Sequence, residues 1–415
     1  MRTFLRNKLK GILKVLAIKT IKKYQPGIVA ITGTVGKTST KDAIYTILRN
    51  VREVRASQGN FNNEIGLPLT ILGDYKEVKG LFFWLKVITQ AIKNLIVKAD
   101  YPEILVLEYA ADRPGDIRYL LDIARPQMGL VTTIGAIPVH VEFYSGPEAI
   151  AREKSRIIEA LPSAGFGILN FDDESVMNMR EKTRAHIITF GFGKGAEVRI
   201  TNFENKSETL HTGGHKPLGI AFKLEHAGDF VPIRLTGAFG KAQAYAVAAA
   251  TSIGLAFGLS LVKIAEAIQY YQPPAQRMKL VPGIKGTYII DDSYNAAPLS
   301  MHAALDTIKD LKAKRKVGVL GDMLELGQFT NAAHEAVGQL CNGSLDILVT
   351  VGLRAKFIAE AAAQAGFDKN NIFSFDTAEQ AKLEVQGLLE KGDLVLIKGS
   401  RGIQLDRVVQ EIQLI

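Results

Sequence analysis

Residues 28–48 read IVAITGTVGKTSTKDAIYTIL, and the fold turns on whether this stretch grips a phosphate. The apolar run Ile28, Val29, Ala30, Ile31 predicts a buried strand. Gly33 and Gly36 follow, then Lys37 and Thr38, then an amphipathic segment with apolar Ala43, Ile44, Ile47 and Leu48. Strand, glycine turn, lysine and hydroxyl, helix is the order a phosphate loop requires. Glycines let backbone N–H groups converge on an anion, and the helix N-terminus adds partial positive charge. The common G-x-x-x-x-G-K-[ST] spacing is broken, because Ile31 stands at the first glycine position. Lys37 suits β- and γ-phosphate oxygens, and the Thr38 hydroxyl suits Mg2+.

Outward from this loop, short apolar strands alternate with helical stretches. EILVLEY (103–109), MGLVTTI (128–134) and GFGILNF (165–171) read as buried parallel strands. Residues 186–235 alternate Thr, Phe and Ile, which predicts a small antiparallel excursion. KAQAYAVAAATSIGLAFG (241–258) predicts an alanine-rich helix packed closely inside. The proline- and glycine-bearing stretch YYQPPAQRMKLVPGIKG (270–286) reads as a hinge, after which TYIIDDS, RKVGVLGD, DILVTVG and GDLVLIKG restart the rhythm. Several of these strands end in a small or acidic residue, where open α/β sheets place ligands. The expected fold is α/β: a basic segment 1–25, a central P-loop-type, mostly parallel sheet domain over 26–283, and a Rossmann-like domain over 284–415.

Composition narrows the function. The 47% hydrophobic and 22% charged content of the 415 residues is that of a folded globular protein. Cys341 is the only cysteine, which excludes an internal disulfide and a cysteine-rich metal site and fits a reducing cytoplasm. No convincing export signal is seen. Residues 1–25 carry eight Lys or Arg and no acid, so nearly all of the +9 net charge lies there. A basic tail on a neutral body argues against nucleic acid as partner. On a helix, Leu5, Leu9, Ile12, Leu13, Leu16 and Ile21 share one broad face. Two readings fit: a helix packed on the body, or one lying on an anionic membrane surface. KGLFFWLKVITQAIKNLIVK (79–98), interrupted by Lys86 and Lys93, is open to the same two readings.

Glu108 ends the apolar run ILVLE, where an acid used only for packing would be costly, so a metal or charge partner is expected. His140 follows another strand, as a satisfied loop residue or as a ligand. Asn60, Asn62 and Asn63 offer neutral hydrogen-bonding groups to a peptidyl substrate, although asparagine-rich turns also arise for structural reasons.

TGTVGKTST, GNFNNEIGLPLTIL (59–72), LEYAADRPGDI (107–117), HVEFYSGPEAIAREKSRI (140–157), DDSYNAAPLSM (291–301), GDMLELG (321–327) and KGSRG (398–402) occur in this order. Together they resemble the Mur ligases that build the peptidoglycan stem peptide, over about residues 26–415. Within that family they lie nearest the branch that adds D-alanyl-D-alanine. The resemblance implies a carbon–nitrogen ligase: ATP phosphorylates the carboxylate of a muramyl tripeptide, and the amine of D-alanyl-D-alanine attacks the acyl phosphate. It implies that Gly33, Thr34, Gly36, Lys37, Thr38 and Ser39 hold the nucleotide phosphates, with Arg277, Asp292 and Asn295 closing on the nucleotide. Thr38 and Glu108 would hold one Mg2+, and His140 would help hold a second. Lys154 matches the family lysine that adds CO2 to become a carbamate ligand, so Lys37, His140 and Lys154 are the catalytic expectations. Lys398, Ser400 and Arg401 would meet phosphate or the dipeptide carboxylate. A cytoplasmic monomer is expected, at the inner membrane face if the basic segments touch lipid.

Two departures stand out. Family members carry an N-terminal UDP-sugar-binding domain before the phosphate loop, for which the segment preceding Pro26 is too short, so that part is expected to be absent. The family's G-x-H-N-x-x-N-A stretch is GAFGKAQA (237–244) here, with Phe239, Gly240 and Gln243 in place of the His and both Asn. A changed donor, lipid-linked rather than UDP-linked, is one expectation. The alternatives are a ligase for folate or amino-acid polymers and a non-catalytic nucleotide-binding scaffold.

Overall fold

The apolar run before the glycine turn forms β1 (Gly27–Thr32), buried on both faces as a helix-covered parallel strand must be. The computed structural model describes residues 2–59, 61–75, 77–78, 80–211 and 214–414. β1 belongs to a nine-stranded sheet ordered β2 (Val54–Ala56), β3 (Ile104–Glu108), β1, β4 (Met128–Val131), β5 (Phe166–Asn170), β6 (His186–Gly191), β7 (Val198–Thr209), β8 (His215–His226), β9 (Asp229–Thr236). Pairing is parallel from β2 through β7, and β8 and β9 add antiparallel. The antiparallel stretch expected over 186–235 is therefore an extension of the main sheet, because β6 first pairs with β5.

Ten helices position the site: α1 (Arg2–Tyr24), α2 (Lys37–Leu48), α3 (Gly66–Leu72), α4 (Gly80–Ile96), α5 (Asp116–Ile123), α6 (Pro147–Glu159), α7 (Glu174–Met177), α8 (Lys241–Ala256), α9 (Leu261–Ile268) and α10 (Pro298–Asp310). One sheet face packs Val29, Ile31 and Leu130 against Ile44 and Ile47 of α2 and Ala248 and Ala249 of α8. Alanine has no side chain beyond Cβ, so α8 can approach α2 and the sheet closely. The other face packs Ala30, Leu105 and Leu107 against Ala17 of α1, Leu67 of α3 and Leu120 of α5. α1 and α4 close over α3 through Leu13, Leu16, Leu69 and Val87. The basic N-terminal helix is thus packed on the body. Ile12, which the sequence places on its apolar face, is 45% exposed.

A second sheet is ordered β10 (Lys279–Pro282), β11 (Tyr288–Asp292), β15 (Leu394–Lys398), β12 (Lys316–Gly321), β13 (Ile347–Val351), β14 (Ile372–Phe375). Only β10 runs antiparallel. It starts inside the stretch read as a hinge. As an edge strand it tolerates Pro282, which lacks a ladder donor.

Candidate active site

β1 delivers the chain to Gly33 at φ +139° and Gly36 at φ +91°. A Cβ on Gly33 would lie 1.9 Å from Thr132 Oγ1, so only glycine fits there. The loop is tied to the segment after β4, with Thr34 N–H donating to Thr133 O at 2.6 Å and Val35 N–H to the same oxygen at 3.3 Å. α2 then starts with Gly36 as N-cap and no capping side chain. Its first-turn N–H groups have no acceptor within the helix and face an incoming anion with the helix dipole behind them. The Thr34 hydroxyl is buried without a partner among the described residues.

Two lysines converge on one carbonyl of this loop. Lys37 Nζ donates to Gly33 O at 2.8 Å, and Lys154 Nζ, from α6, donates to the same oxygen at 3.0 Å. Burial, and then the charge of Lys37, lower the Lys154 pKa to about 7. Burial lowers Lys37 as well, opposed by Glu108. Among the described residues neither ammonium has a salt-bridged carboxylate. Buried charge of this kind is stable only once an opposite charge arrives.

Glu108 ends β3 opposite Ile31, 3% exposed. Its carboxylate accepts from Thr38 Oγ1 at 3.2 Å and from Asn62 Nδ2 at 3.0 Å. The hydroxyl and carboxylate oxygens of Thr38 and Glu108 are hard donors, which fit a Mg2+ ion. His140 takes φ +69°. Its ring lies between Asp112, 3.4 Å from Nε2, and Glu325, which reaches Nδ1 from the second sheet's unit. Burial holds the imidazole below its ordinary pKa against the pull of both acids. Among the described residues no three His, Cys, Asp or Glu side chains cluster as a ready metal site.

A cavity of about 580 Å³ opens between the two units, lined by Thr34, Gly36, Ser39, Arg277, Asp292 and Asn295. Its size is ordinary for a small-molecule site. Arg277 lies 3.9 Å from the centre of the Tyr294 ring and Arg401 5.5 Å from it, so one aromatic residue gathers two distant arginines.

Three residues expected to meet substrate do structural work. Lys398, 2% exposed, donates to Asp292 Oδ2 at 2.5 Å and to Asn295 O at 3.0 Å. Ser400 Oγ accepts from Leu324 N–H at 2.9 Å. Asn63 Oδ1 accepts from Ile65 and Gly66 N–H and fixes the entry to α3. Asn62 holds Glu108, and Asn60 lies outside the described residues.

Sequence reasoning missed Asp112, Glu325, Tyr294 and Lys41. Asp112, Tyr294 and Glu325 lie inside quoted motifs, which is the available signal. Lys41 looks like a surface helix lysine, yet it is 3% exposed and donates to Ser57 O at 2.6 Å. The Ser57 hydroxyl in turn accepts from the Glu108 N–H at 3.4 Å.

Comparison with known proteins gives matches along most of the chain. Residues 31–83 and 88–251 match the Mur ligase middle domain, and residues 276–401 match the Mur ligase, glutamate ligase domain. The chain is 29% identical to the UDP-N-acetylmuramoyl-tripeptide–D-alanyl-D-alanine ligase of Bacillus subtilis over 402 residues, covering 96% of this chain and 79% of that one. It is 30% identical to the ligase of the same name from Mycobacterium leprae, covering 91% and 72%. Among solved structures, MurF of Thermotoga maritima in complex with ADP aligns with a TM-score of 0.76 at 27% identity, covering 97% of this chain and 83% of that one.

Proposed function

The chain belongs to the Mur ligase family, and we propose that it joins D-alanyl-D-alanine to a muramyl tripeptide at the expense of ATP. The observation that carries this reading is the pair Lys37 and Lys154, two buried amino groups on one loop carbonyl with no salt-bridged carboxylate among the described residues. A reaction that brings a triphosphate and a carboxylate together needs cations at that point. In this reading Lys37 grips the transferring phosphate beside the first-turn N–H groups of α2. Arg277, Asp292 and Asn295 take the nucleotide across the cavity, and closure of the two units excludes water from the activated acyl group. The scheme divides the chain at 1–25, 26–283 and 284–415, with the boundary between the two larger units moved ahead of Lys279 because β10 pairs into the second sheet.

Thr38 and Glu108 would hold a Mg2+ ion, with phosphate oxygens and water completing its shell; the ion supplies charge neutralisation between the two anions. Asn62 fixes the Glu108 carboxylate for that purpose. A second Mg2+ would draw on His140, which must then loosen one of its two acidic neighbours. Lys154, lowered to about 7, is in part a neutral amine near neutral pH, the form that adds CO2, and as a carbamate it would become an anionic ligand. We place the enzyme in the cytoplasm, at the inner face of the membrane. No helix among the described residues is long and apolar enough to cross a membrane.

The test is phosphate release from ATP with Mg2+ and bicarbonate, given UDP-muramyl tripeptide, with and without D-alanyl-D-alanine. Release should require the dipeptide and vanish in Lys37→Ala. Release that ignores the dipeptide would refute the acceptor, and glutamate or folate in its place would identify the alternative.

A further inference from the structure

α1 and α4 spend one face each on the body, through Leu13, Leu16, Val87 and Ala91. Their other faces are not polar. On α4, Phe82, Leu85, Ile92 and Ile96 recur at helical spacing and are 86%, 59%, 45% and 78% exposed. On α1, Ile12, Val15 and Ile18 are 45%, 51% and 36% exposed, next to Gly11, where an added Cβ would meet nothing within 4 Å. Scattered apolar residues are normal on a surface, but seven on two packed helices make a patch that calls for a partner.

Charge identifies that partner. Neither helix contains an Asp or Glu. Exposed Lys19 and Lys22 on α1 and Lys86 and Lys93 on α4 have no carboxylate partner among the described residues. Long cationic side chains beside an apolar stripe can lay their stems along acyl chains and keep their charges at the headgroups. The projecting Phe82 and Ile96 suit a deformable surface better than a preformed protein groove.

We propose that α1 and α4 together form a two-helix face that seats this protein on an anionic lipid bilayer. The inference rests on the inner-membrane placement above and names its chemistry. It also sets the site close to the lipid. α3 lies beneath the two helices, and the loop leading into it carries Asn62, which holds Glu108, and Glu64, which is paired with Lys10 at 2.5 Å and Arg6 at 3.6 Å. A bilayer under α1 and α4 is therefore one helix away from the segment that sets the Glu108 carboxylate.

The experiment is flotation of the full chain with phosphatidylcholine vesicles and with vesicles containing phosphatidylglycerol as well. Binding to the anionic vesicles should exceed binding to neutral ones by at least about tenfold and fall as salt is raised. Phe82→Ser, Leu85→Ser, Ile92→Ser and Ile96→Ser combined should lose about tenfold or more of that binding. Their thermal midpoint should be unchanged, since the four side chains face solvent. Exchanging Lys19, Lys22, Lys86 and Lys93 for Glu should abolish the preference for anionic lipid. Failure of the wild-type chain to float, or unchanged flotation of the serine variant, would overturn the proposal. Phosphate release in vesicle-free buffer with the soluble donor is measured alongside. Activity without flotation refutes the bilayer alone, and flotation without activity on the soluble donor refutes the ligase reading for that donor alone.

Discussion

Lys398 and Asp292 form a pair whose two ends are 2% and 8% exposed, and both line the cavity between the two units. Removing the charge at one end strands the other in a poorly solvated place. Asp292→Asn should therefore destabilise the fold by about 3 kcal/mol, read from the urea midpoint. Adding Lys398→Met to that variant should recover most of the loss, because no buried charge then remains. A double variant as unstable as the single one would show that the ion pair is not what the region depends on. Cys341 makes a second case at this scale. Burial pushes its thiol up to about 12, so the thiolate is essentially absent at pH 8. A thiol-reactive dye should leave the native chain unlabelled at that pH and label it once urea unfolds it. The sign of the linkage follows: the folded state keeps this proton longer than the unfolded one. The thiol's contribution to stability is intact below about pH 9 and is lost as pH rises toward 12. Rapid labelling of the native chain would mean that the helix carrying Cys341 opens on its own.

Among the elements, the β1–loop–α2 unit explains why the glycine pattern is a variant. β1 runs to Thr32, so Ile31, where the common pattern has glycine, is a ladder residue opposite Glu108. The turn is compressed into residues 33–36, and Gly33 carries the steric demand. Gly33→Ala should cost at least about 2 kcal/mol and weaken ATP binding, because strain at positive φ adds to a clash with Thr132. Gly36→Ala should cost about 1 kcal/mol, from strain alone, since its nearest neighbour is 3.9 Å away. Equal losses in a calorimetric comparison would reject this ordering. The same unit was legible in the sequence because strand, turn and helix are each declared by local residues. The runs at 103–109, 128–134 and 165–171 likewise became β3, β4 and β5. β2, with three residues, is too short to show any period, and Lys279–Pro282 is hidden among prolines. Of the residues singled out in the sequence, Lys37 and Lys154 share the Gly33 carbonyl and Thr38 touches Glu108. The His140–Glu325 contact was not legible, because it joins loops of two different units and leaves no trace in either one's periodicity.

At the scale of the whole molecule, the stretch 237–244 forms the joint between the two units. Phe239 is fully buried in the core of the second sheet's unit, with Ile290, Leu305 and Leu320. The backbone there continues β10: Leu280 N–H donates to Gly237 O at 2.9 Å, and Phe239 N–H donates to Met278 O at 3.1 Å. Gln243 Nε2 donates to Arg277 O at 2.9 Å and Gln243 Oε1 accepts from Tyr271 O–H at 2.8 Å, which fixes the segment bearing Arg277. A His or Asn at position 239 would have to hydrogen-bond inside that apolar core, whereas Phe needs only volume. The cavity between the units is consequently bounded on one side, at Gly240 and Gln243, by this packed joint. Phe239→Ala should remove about 3–5 kcal/mol and uncouple them. Scanning calorimetry should then resolve two transitions where the native chain gives one. The transition that ATP and Mg2+ raise should be the one containing the phosphate loop, because a ligand stabilises only the unit that binds it. A single transition at the native midpoint would mean that the units are held together elsewhere, with the Glu325–His140 contact the next to remove.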